Sequence, residues 1–306
     1  MKLSKNQVEE ILKNYNLGRL KKLGKIMKND VVSLGQEIVT TQGRYFLKVH
    51  KSFALGEKQG LEASYLLRKN IPSPKIYLTK KKSLFLGYKN YKIIIFEFLS
   101  GLKSKWEMNK EEIRDFSKTL ARFHKQTRKM KFQRIKSGNY QDISSLIKKY
   151  YNKRRIYPKN IQKSLEFMKK EIENLPIPEN QYLTGFYSEF YPGHVYFKHN
   201  KVVSVIDWMI GREEAFYDIG SSLIACFSKN GKKFFQGRFK DFIDSYNKVR
   251  KMTKWEKEHI FDALKFGILK TGIWGFFNLQ TGKMASENKI DRDDLNLVLW
   301  LMRKLR

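Results

Sequence analysis

The chain has 306 residues, 41% of them hydrophobic, which is long and apolar enough for a folded core and excludes a wholly disordered protein. Its 62 lysines and arginines against 30 aspartates and glutamates give a net charge of +32, which favours anionic over cationic partners. A single cysteine excludes an internal disulfide framework, and no apolar run reaches the ~20 residues of a membrane-spanning helix, so we expect a soluble, cytoplasmic protein.

The first hundred residues predict a helix, a group of strands and a second helix. Ser4 and Gln7 have the spacing of a capping box ahead of an apolar stripe, which predicts a helix over 4–14. Short β-like segments separated by turn residues follow over 20–49, and a helical pattern runs over 56–69. Further strands are predicted at 75–79, 84–87 and 91–99.

The rest of the chain is helical in pattern apart from one segment. Apolar residues recur at helical spacing over 111–129, and Pro158 separates two helices within 142–174. Beyond residue 208, helical patterns are predicted around 215–228, 232–249, 254–281 and 291–305. The change from strands to helices predicts a domain boundary near residue 100, with one domain over 1–100 and the other over 101–306.

The segment 183–208 interrupts this helical part and carries two carboxylates. It predicts a polar loop, a short apolar strand, a turn and a second apolar strand. Glu189 precedes the first strand, and Asp207 follows the second. A hairpin brings such residues side by side, where one can accept a proton and the other can hold a metal.

The wording of this segment resembles the catalytic segment of the aminoglycoside phosphotransferase-like family, which includes choline and aminoglycoside kinases of protein-kinase-like fold. Its usual form is close to HGDxxPxN, a hairpin and then IDW; here residues 187–194 read YSEFYPGH and residues 206–208 read IDW. The resemblance covers about residues 20–280. It implies an α+β, bilobal protein-kinase-like fold, with a small antiparallel sheet in the N-lobe and a mostly helical C-lobe.

The resemblance implies a nucleotide site in the first domain. Alternation along 45–49 puts Lys48 on the face opposite Tyr45, Leu47 and Val49, and the family uses such a cation to grip the α- and β-phosphates. Its implied partner is Glu62 on the next helix, and Glu57, five residues earlier, is the competitor. An edge-strand lysine and an exposed helix glutamate are the alternatives. The implied hinge for the nucleotide base contains three residues: Glu97, Phe98 and Leu99.

The resemblance also implies roles in the 183–208 segment. Glu189 takes the place of the aspartate that accepts the proton of the acceptor hydroxyl, and Asp207 is the metal ligand. Tyr187 replaces a histidine that braces the loop. His194 replaces an asparagine that binds metal, and since Mg²⁺ prefers oxygen donors, Mn²⁺ would tolerate this imidazole better.

Two further residues are expected to support this segment. Asp218, in the run YDIG, matches the family element that braces the catalytic loop from the following helix. His124 resembles the end of the family's LARLH-type helix, and we expect a packed, hydrogen-bonded structural histidine. The apolar run 266–282, which contains several glycines, predicts either a helix that lines the acceptor pocket or a plain core helix.

The function implied is transfer of the γ-phosphate of ATP or GTP, with Mg²⁺ or Mn²⁺, to a hydroxyl of a small molecule. A protein of charge +32 repels a polycation unless its pocket is acidic, so a neutral or anionic acceptor is favoured. Glu213 and Glu214 are the main candidates for an acidic patch.

Two other functions stay open at the sequence level. Tyr187 and His194 favour a catalytically inactive pseudokinase that binds a partner or a nucleotide. The run 148–155 mixes cations with tyrosines, which is typical of surfaces that bind nucleic acid or anionic membranes. A solvated helix face explains that run more simply.

Overall fold

A computed structural model of the chain describes residues 3–29, 33–51, 61, 64–65, 67–68, 70–100, 102–131, 138–208, 210–281 and 289–305. Internal contacts divide it into two compact units, Met1–Leu102 and Lys103–Arg306. In the described part of the chain, no helix has both the length and the apolar character needed to cross a membrane.

The first unit opens with helix α1 (Lys5–Leu12) and continues as an antiparallel sheet. The predicted capping box of α1 is confirmed, since the Gln7 N–H donates to Ser4 Oγ at 3.3 Å and the Ser4 N–H donates to Gln7 Oε1 at 2.8 Å. The strands of the sheet are β1 (Leu20–Asn29), β2 (Ser33–Thr40), β3 (Gly43–Lys51), β4 (Ile76–Tyr77), β5 (Leu86–Tyr88) and β6 (Tyr91–Glu97).

The sheet packs its apolar face on α1. Its strand order is β1-β2-β3-β6-β4, with β5 also paired to β6, and every pair is antiparallel. Tyr45, Leu47 and Val49 of β3 are buried in one cluster with Val8 and Ile11 of α1, as the alternation predicted. Strand β1 is described as far as Asn29, and residues 30–32 of the β-like segments predicted over 20–49 lie outside the described residues.

Helices dominate the second unit, as predicted. They are α2 (Lys110–Thr127), α3 (Tyr140–Asn152), α4 (Lys159–Glu173), α5 (Ala215–Leu223), α6 (Gln236–Val249), α7 (Lys254–Glu258), α8 (Ile260–Thr281) and α9 (Lys289–Lys304). The single helix expected over 254–281 is two helices, because the backbone of His259 leaves the helical conformation at the end of α7.

The predicted hairpin is present as β9 (Val195–Lys198) and β10 (Lys201–Val205), which pair in antiparallel register. The sequence analysis missed β7 (Lys103–Ser104), which adds to β9, and the pair of β8 (Leu183–Phe186) with β11 (Gly211–Glu214). Strand β8 precedes the hairpin in sequence and β11 follows it, so their pairing brings the two ends of this segment together. The residues between these strands are thereby drawn into one compact group.

Helices α5 and α8 approach each other backbone to backbone through two glycines. A Cβ at Gly220 of α5 would overlap the carbonyl of Ala263, and one at Gly267 of α8 would overlap the carbonyl of Gly220. Other α8 residues are buried, which supports the core-helix interpretation of this run: Phe266, Ile268, Leu269, Ile273 and Phe276. This close contact brings α8 next to the loop that follows β8.

Candidate functional site

Glu189 and Asp207 converge on one imidazole, that of His194. Glu189 Oε2 lies 3.5 Å from His194 Nδ1, and Asp207 Oδ2 lies 3.9 Å from Nε2. The Glu189 side chain is 53% exposed and that of Asp207 24%, whereas His194 is 15% exposed between them. The hairpin therefore presents one accessible carboxylate and one partly buried carboxylate a single side chain apart.

Two tyrosines hold this histidine. Tyr187 is buried and its hydroxyl donates to the Ile206 carbonyl, so His194 Nδ1, 3.1 Å away, carries a hydrogen that it donates to the Tyr187 oxygen. Burial, reinforced by the Glu189 and Asp207 carboxylates, raises the pKa of Tyr187 well above its usual value and keeps this hydroxyl protonated. The Tyr191 hydroxyl lies 2.9 Å from His194 Nε2, with the two rings 4.3 Å apart.

A carboxylate oxygen is the group at this site that suits a divalent metal best. Asp207 supplies a carboxylate oxygen, which Mg²⁺ binds beside phosphate oxygens and water. Among the described residues, no three His, Cys, Asp or Glu side chains form a cluster that could hold a metal ion. Metal binding by His194 stays a prediction, and it requires a ring nitrogen to leave a tyrosine hydroxyl.

Asp218 anchors the backbone of the loop at residues 187 and 188. Its carboxylate, fully buried on α5, accepts the Tyr187 N–H at 2.8 Å and the Ser188 N–H at 2.7 Å. These bonds fix the backbone immediately before Glu189 to a helix of the core. The structural role expected for Asp218 is therefore confirmed.

A chain of buried polar groups continues from Asp218 into the core. Burial lowers the pKa of His124, opposed by Asp218, so the neutral ring donates from Nε2 to Asp218 Oδ2 at 3.3 Å and accepts from the Tyr246 hydroxyl at Nδ1. Tyr246 accepts in turn from Arg250 Nε at 2.6 Å, and Arg250 forms two bonds to Glu256 at 2.8 and 2.9 Å. His124 is thus the packed structural histidine that was expected.

The backbone at this site adopts conformations that most residues avoid. Ser188 has φ +68° and Asp207 has φ +57°, both in the left-handed region. Such a conformation costs an L-residue roughly 1–2 kcal/mol, less for aspartate, whose short polar side chain bonds locally. Of the described non-glycine residues, five more have positive φ, and all five lie in turns or bends outside this site: Lys82, Lys89, Asn180, His199 and Asn200.

Lys270 of α8 contacts the loop that carries Glu189, and the sequence did not predict this contact. Its ammonium donates to the Ser188 carbonyl, to Ser188 Oγ at 2.8 Å and to Ser221 Oγ at 3.1 Å. It is a single lysine within the apolar run 266–282, and this interruption was the signal available. A buried lysine needs partners, and the sequence does not show which ones.

The carboxylates of Glu213 and Glu214 are hydrogen-bonded to other residues of the protein. Both are buried; Glu213 Oε2 accepts from Asn139 Nδ2 at 3.3 Å, and the Glu214 carboxylate accepts the Gln181 and Tyr182 N–H groups at 3.2 and 2.7 Å. These carboxylates therefore support β11 and the start of β8, and they are not available as an acidic patch for a cationic acceptor.

The predicted nucleotide residues lie in the first unit. Lys48 is half-buried on β3, a central strand that pairs Lys48 with Gly35 of β2 and Ile94 of β6, so the edge-strand alternative is wrong. Glu97 is exposed and ends β6, with Phe98 and Leu99 directly after it and half-buried. Glu62, the implied partner of Lys48, lies outside the described residues.

Neither a protein-family model nor a curated protein matches this sequence. Solved structures do match its fold. An amicoumacin kinase, in complex with AMP-PNP, Ca²⁺ and Ami, aligns over 97% of this chain and 94% of its own with a TM-score of 0.70 and 12% identity. A spectinomycin phosphotransferase, in complex with ADP and spectinomycin, aligns over 100% and 96% with a TM-score of 0.69 and 12% identity.

A third match widens the range of named functions. A microcompartment-associated aminopropanol kinase aligns over 98% of this chain and 97% of its own, with a TM-score of 0.66 and 11% identity. The chain therefore has the α+β, kinase-like fold of the aminoglycoside phosphotransferases and related small-molecule kinases, as its catalytic-segment wording implied. Identity this low establishes a common fold and leaves the activity to be argued from the site.

Proposed function

We propose that the protein is a nucleotide-dependent phosphotransferase that moves the γ-phosphate of ATP or GTP to a hydroxyl of a small molecule. The observation that carries this proposal is the placement of Glu189 and Asp207 on either side of His194, with the backbone just before Glu189 anchored to buried Asp218. Solved structures of the same fold include proteins named as kinases of small molecules and bound to nucleotides, which supports it.

Each residue has a proposed task in this reaction. Phosphoryl transfer needs little covalent help from a protein and depends on positioning and charge neutralisation. Glu189, the exposed carboxylate, accepts the proton of the acceptor hydroxyl, and its Oε2 lies 3.5 Å from His194 Nδ1. Asp207 would hold the Mg²⁺ or Mn²⁺ that accompanies the nucleotide, and that ion would neutralise phosphate charge. In the first unit, Lys48 would bind the phosphates of the nucleotide. The hinge residues Glu97, Phe98 and Leu99 would bind its base.

The acceptor we propose is neutral or anionic. The net charge of +32 opposes the approach of polycations. An acidic pocket would overcome this, but Glu213 and Glu214 are buried and bonded within the fold. The small molecules named for structures of this fold range from spectinomycin to aminopropanol, so the fold itself does not select the acceptor.

The proposal is tested by measuring transfer of γ-phosphate from ATP and from GTP, with Mg²⁺ and with Mn²⁺, to neutral, anionic and polycationic hydroxyl compounds. Glu189→Gln should lower turnover by at least ~10²-fold, the usual contribution of a general base, while nucleotide still raises the melting temperature. Asp207→Asn should lower turnover and also weaken the metal-dependent part of that shift. Glu179→Gln, an exposed glutamate in the loop before β8, is the control and should behave as wild type. Equal turnover in all four proteins would refute the proposal.

A second candidate is a protein that binds nucleotide without transferring phosphate. The observation in its favour is the engagement of both His194 nitrogens by tyrosine hydroxyls at the position of a metal ligand. A metal-dependent rise in melting temperature with nucleotide, together with no transfer to any acceptor, would establish it.

Polyanion binding is supported less well. The Arg154 guanidinium lies 4.0 Å from the Tyr151 ring centroid, and the Lys169 ammonium lies 5.1 Å from it. Arg154 also pairs with Glu166 at 3.2 Å. A ring covered by cations offers little surface for stacking bases, so the run 148–155 fits a solvated helix face better than a nucleic-acid surface.

A further inference from the structure

Ser188 occupies a backbone conformation that normally calls for glycine. Its φ of +68° places it in the left-handed region, where a side chain crowds the backbone. The wording HGD, which this segment resembles, has glycine at this position. Serine therefore needs contacts that hold it there, and they must come from the surrounding fold.

Two core helices supply those contacts from opposite sides of the residue. Asp218 of α5 accepts the Ser188 N–H at 2.7 Å, and the Lys270 ammonium of α8 donates to the Ser188 carbonyl and to Ser188 Oγ at 2.8 Å. The peptide groups before and after Ser188 are thereby both fixed. Glu189 is the next residue, so the orientation of its carboxylate depends on this arrangement.

The Lys270 ammonium is buried and fully hydrogen-bonded. Its three ammonium hydrogens meet three acceptors, the third being Ser221 Oγ at 3.1 Å. Only 8% of the residue is exposed, so the charge is withdrawn from water and its hydrogen bonds stay within the protein. Burial lowers the pKa of Lys270 to about 8, although the carboxylates of Asp218, Glu189 and Asp142 act in the opposite direction.

The side chain of Ser188 is accommodated as specifically as its backbone. A Cβ at Gly138 would overlap Ser188 Oγ, and it would also contact the end of the Lys270 side chain at 3.5 Å. Residue 138 has φ +78°, a second conformation that favours glycine. Gly138, Ser188 and Lys270 thus fit one another as a set.

We infer that Lys270 is a positioning residue that holds Ser188 in its left-handed conformation and so sets the direction of the Glu189 carboxylate. The hydrogen bonds of Lys270 stabilise a backbone conformation that a glycine would adopt without them. The link to catalysis rests on the proposed function, whereas the link between Lys270 and the conformation of Ser188 does not.

The test compares Lys270→Met, Ser188→Gly and the double variant with wild type. Lys270→Met should lower kcat by about 10²-fold, the effect of a small misplacement of a catalytic group, with the KM for nucleotide changed less than threefold. Ser188→Gly should stay within about threefold of wild type. In the double variant, glycine adopts the required φ unaided, so kcat should return to the Ser188→Gly value. Lys265→Met on the same helix, which removes a lysine paired with Glu171, should leave kcat unchanged.

Hydrogen exchange provides a second measurement that needs no activity. The amides of Tyr187 and Ser188 should exchange at least tenfold faster in Lys270→Met than in wild type or in Lys265→Met. If the wild type transfers no phosphate, the proposed function fails and exchange alone decides the inference. Unchanged exchange in Lys270→Met would overturn it. The inference would also be overturned if kcat of the double variant stayed as low as that of Lys270→Met. In a protein without activity, the corresponding result is an amide of residue 188 that exchanges as fast in the double variant as in Lys270→Met.

Discussion

At the scale of single residues, three departures of the loop from the wording that it resembles involve side chains that contact one another or a neighbouring helix. Tyr187 and His194 replace a histidine and an asparagine, and they bond to each other at 3.1 Å. Ser188, in place of glycine, is bonded by Lys270. Tyr187, His194 and Ser188 are thus each bonded to a second side chain. The backbone of the loop stays bonded to Asp218 although these side chains differ from the wording that it resembles.

The titration of Lys270 makes stability depend on pH in a defined window. The pKa of this group is about 8 in the fold against 10.5 for an ordinary lysine, so between these values the unfolded chain binds more protons and stability rises with pH. Below pH 8 the cost of burying the charge is fully present. A shift of this size corresponds to about 3 kcal/mol of unfolding free energy.

This dependence is measured by urea unfolding of wild type and Lys270→Met from pH 7 to 10.5. The free energy of unfolding of wild type minus that of the variant should increase by up to about 3 kcal/mol across the window. Tyrosines that ionise at high pH are common to both proteins and cancel in the difference. A difference that stays constant with pH would show that the pKa of Lys270 is not lowered in the folded protein.

At the scale of elements, the contact between α5 and α8 determines where Lys270 and Asp218 meet the loop. Gly220 and Gly267 let the two backbones touch, since a Cβ at either position would overlap a carbonyl of the other helix. Lys270 lies three residues, nearly one turn, beyond Gly267, and Asp218 lies two residues before Gly220. Both anchors of Ser188 therefore depend on one helix–helix approach.

Gly220→Ala should reduce the free energy of unfolding by at least ~2 kcal/mol, because the new methyl group meets a backbone carbonyl that cannot move aside. Gly237→Ala on α6 is the control. A Cβ there has no atom within 4 Å, and alanine favours helix, so stability should rise by up to about 1 kcal/mol. Urea denaturation gives both values. Equal effects of the two substitutions would contradict the close approach of α5 and α8.

Local signals in the sequence were sufficient for the elements that depend on local physics. The capping box of Ser4 and Gln7 marked the start of α1, and alternation around Lys48 gave the buried face of β3. The pair β8–β11 was missed because each strand has four residues and its partner lies more than twenty residues away. The contact of Lys270 with Ser188 spans 82 residues and follows from helix packing, so the lone lysine in an apolar run was visible in the sequence but its partner was not.

At the scale of the whole molecule, the net charge influences which small molecules approach the protein. The excess of 32 positive charges creates a field that attracts anions and repels cations over about 10 Å at 0.1 M salt. Glu179, Glu189 and the other exposed carboxylates are too few to reverse its sign. The field is independent of the details of the acceptor pocket, so its effect can be measured before the natural acceptor is known.

If the protein transfers phosphate as proposed, kcat/KM for an anionic acceptor should fall several-fold between about 0.02 and 0.5 M KCl, because salt screens the attraction. For a polycationic acceptor of similar size it should rise over the same range. A neutral acceptor serves as the control and should change little. The same salt dependence for acceptors of opposite charge would show that the net charge does not govern acceptor approach.

The anchoring of the loop by Asp218 has an evolutionary consequence. Its carboxylate binds the N–H groups of residues 187 and 188, and every amino acid except proline carries such a group. Mutations can therefore replace the loop's side chains one after another without releasing its backbone, provided that neighbours such as Lys270 adapt. A loop anchored in this way can keep its backbone conformation while its sequence changes, and this chain shares its fold with the matched structures at only 12% identity.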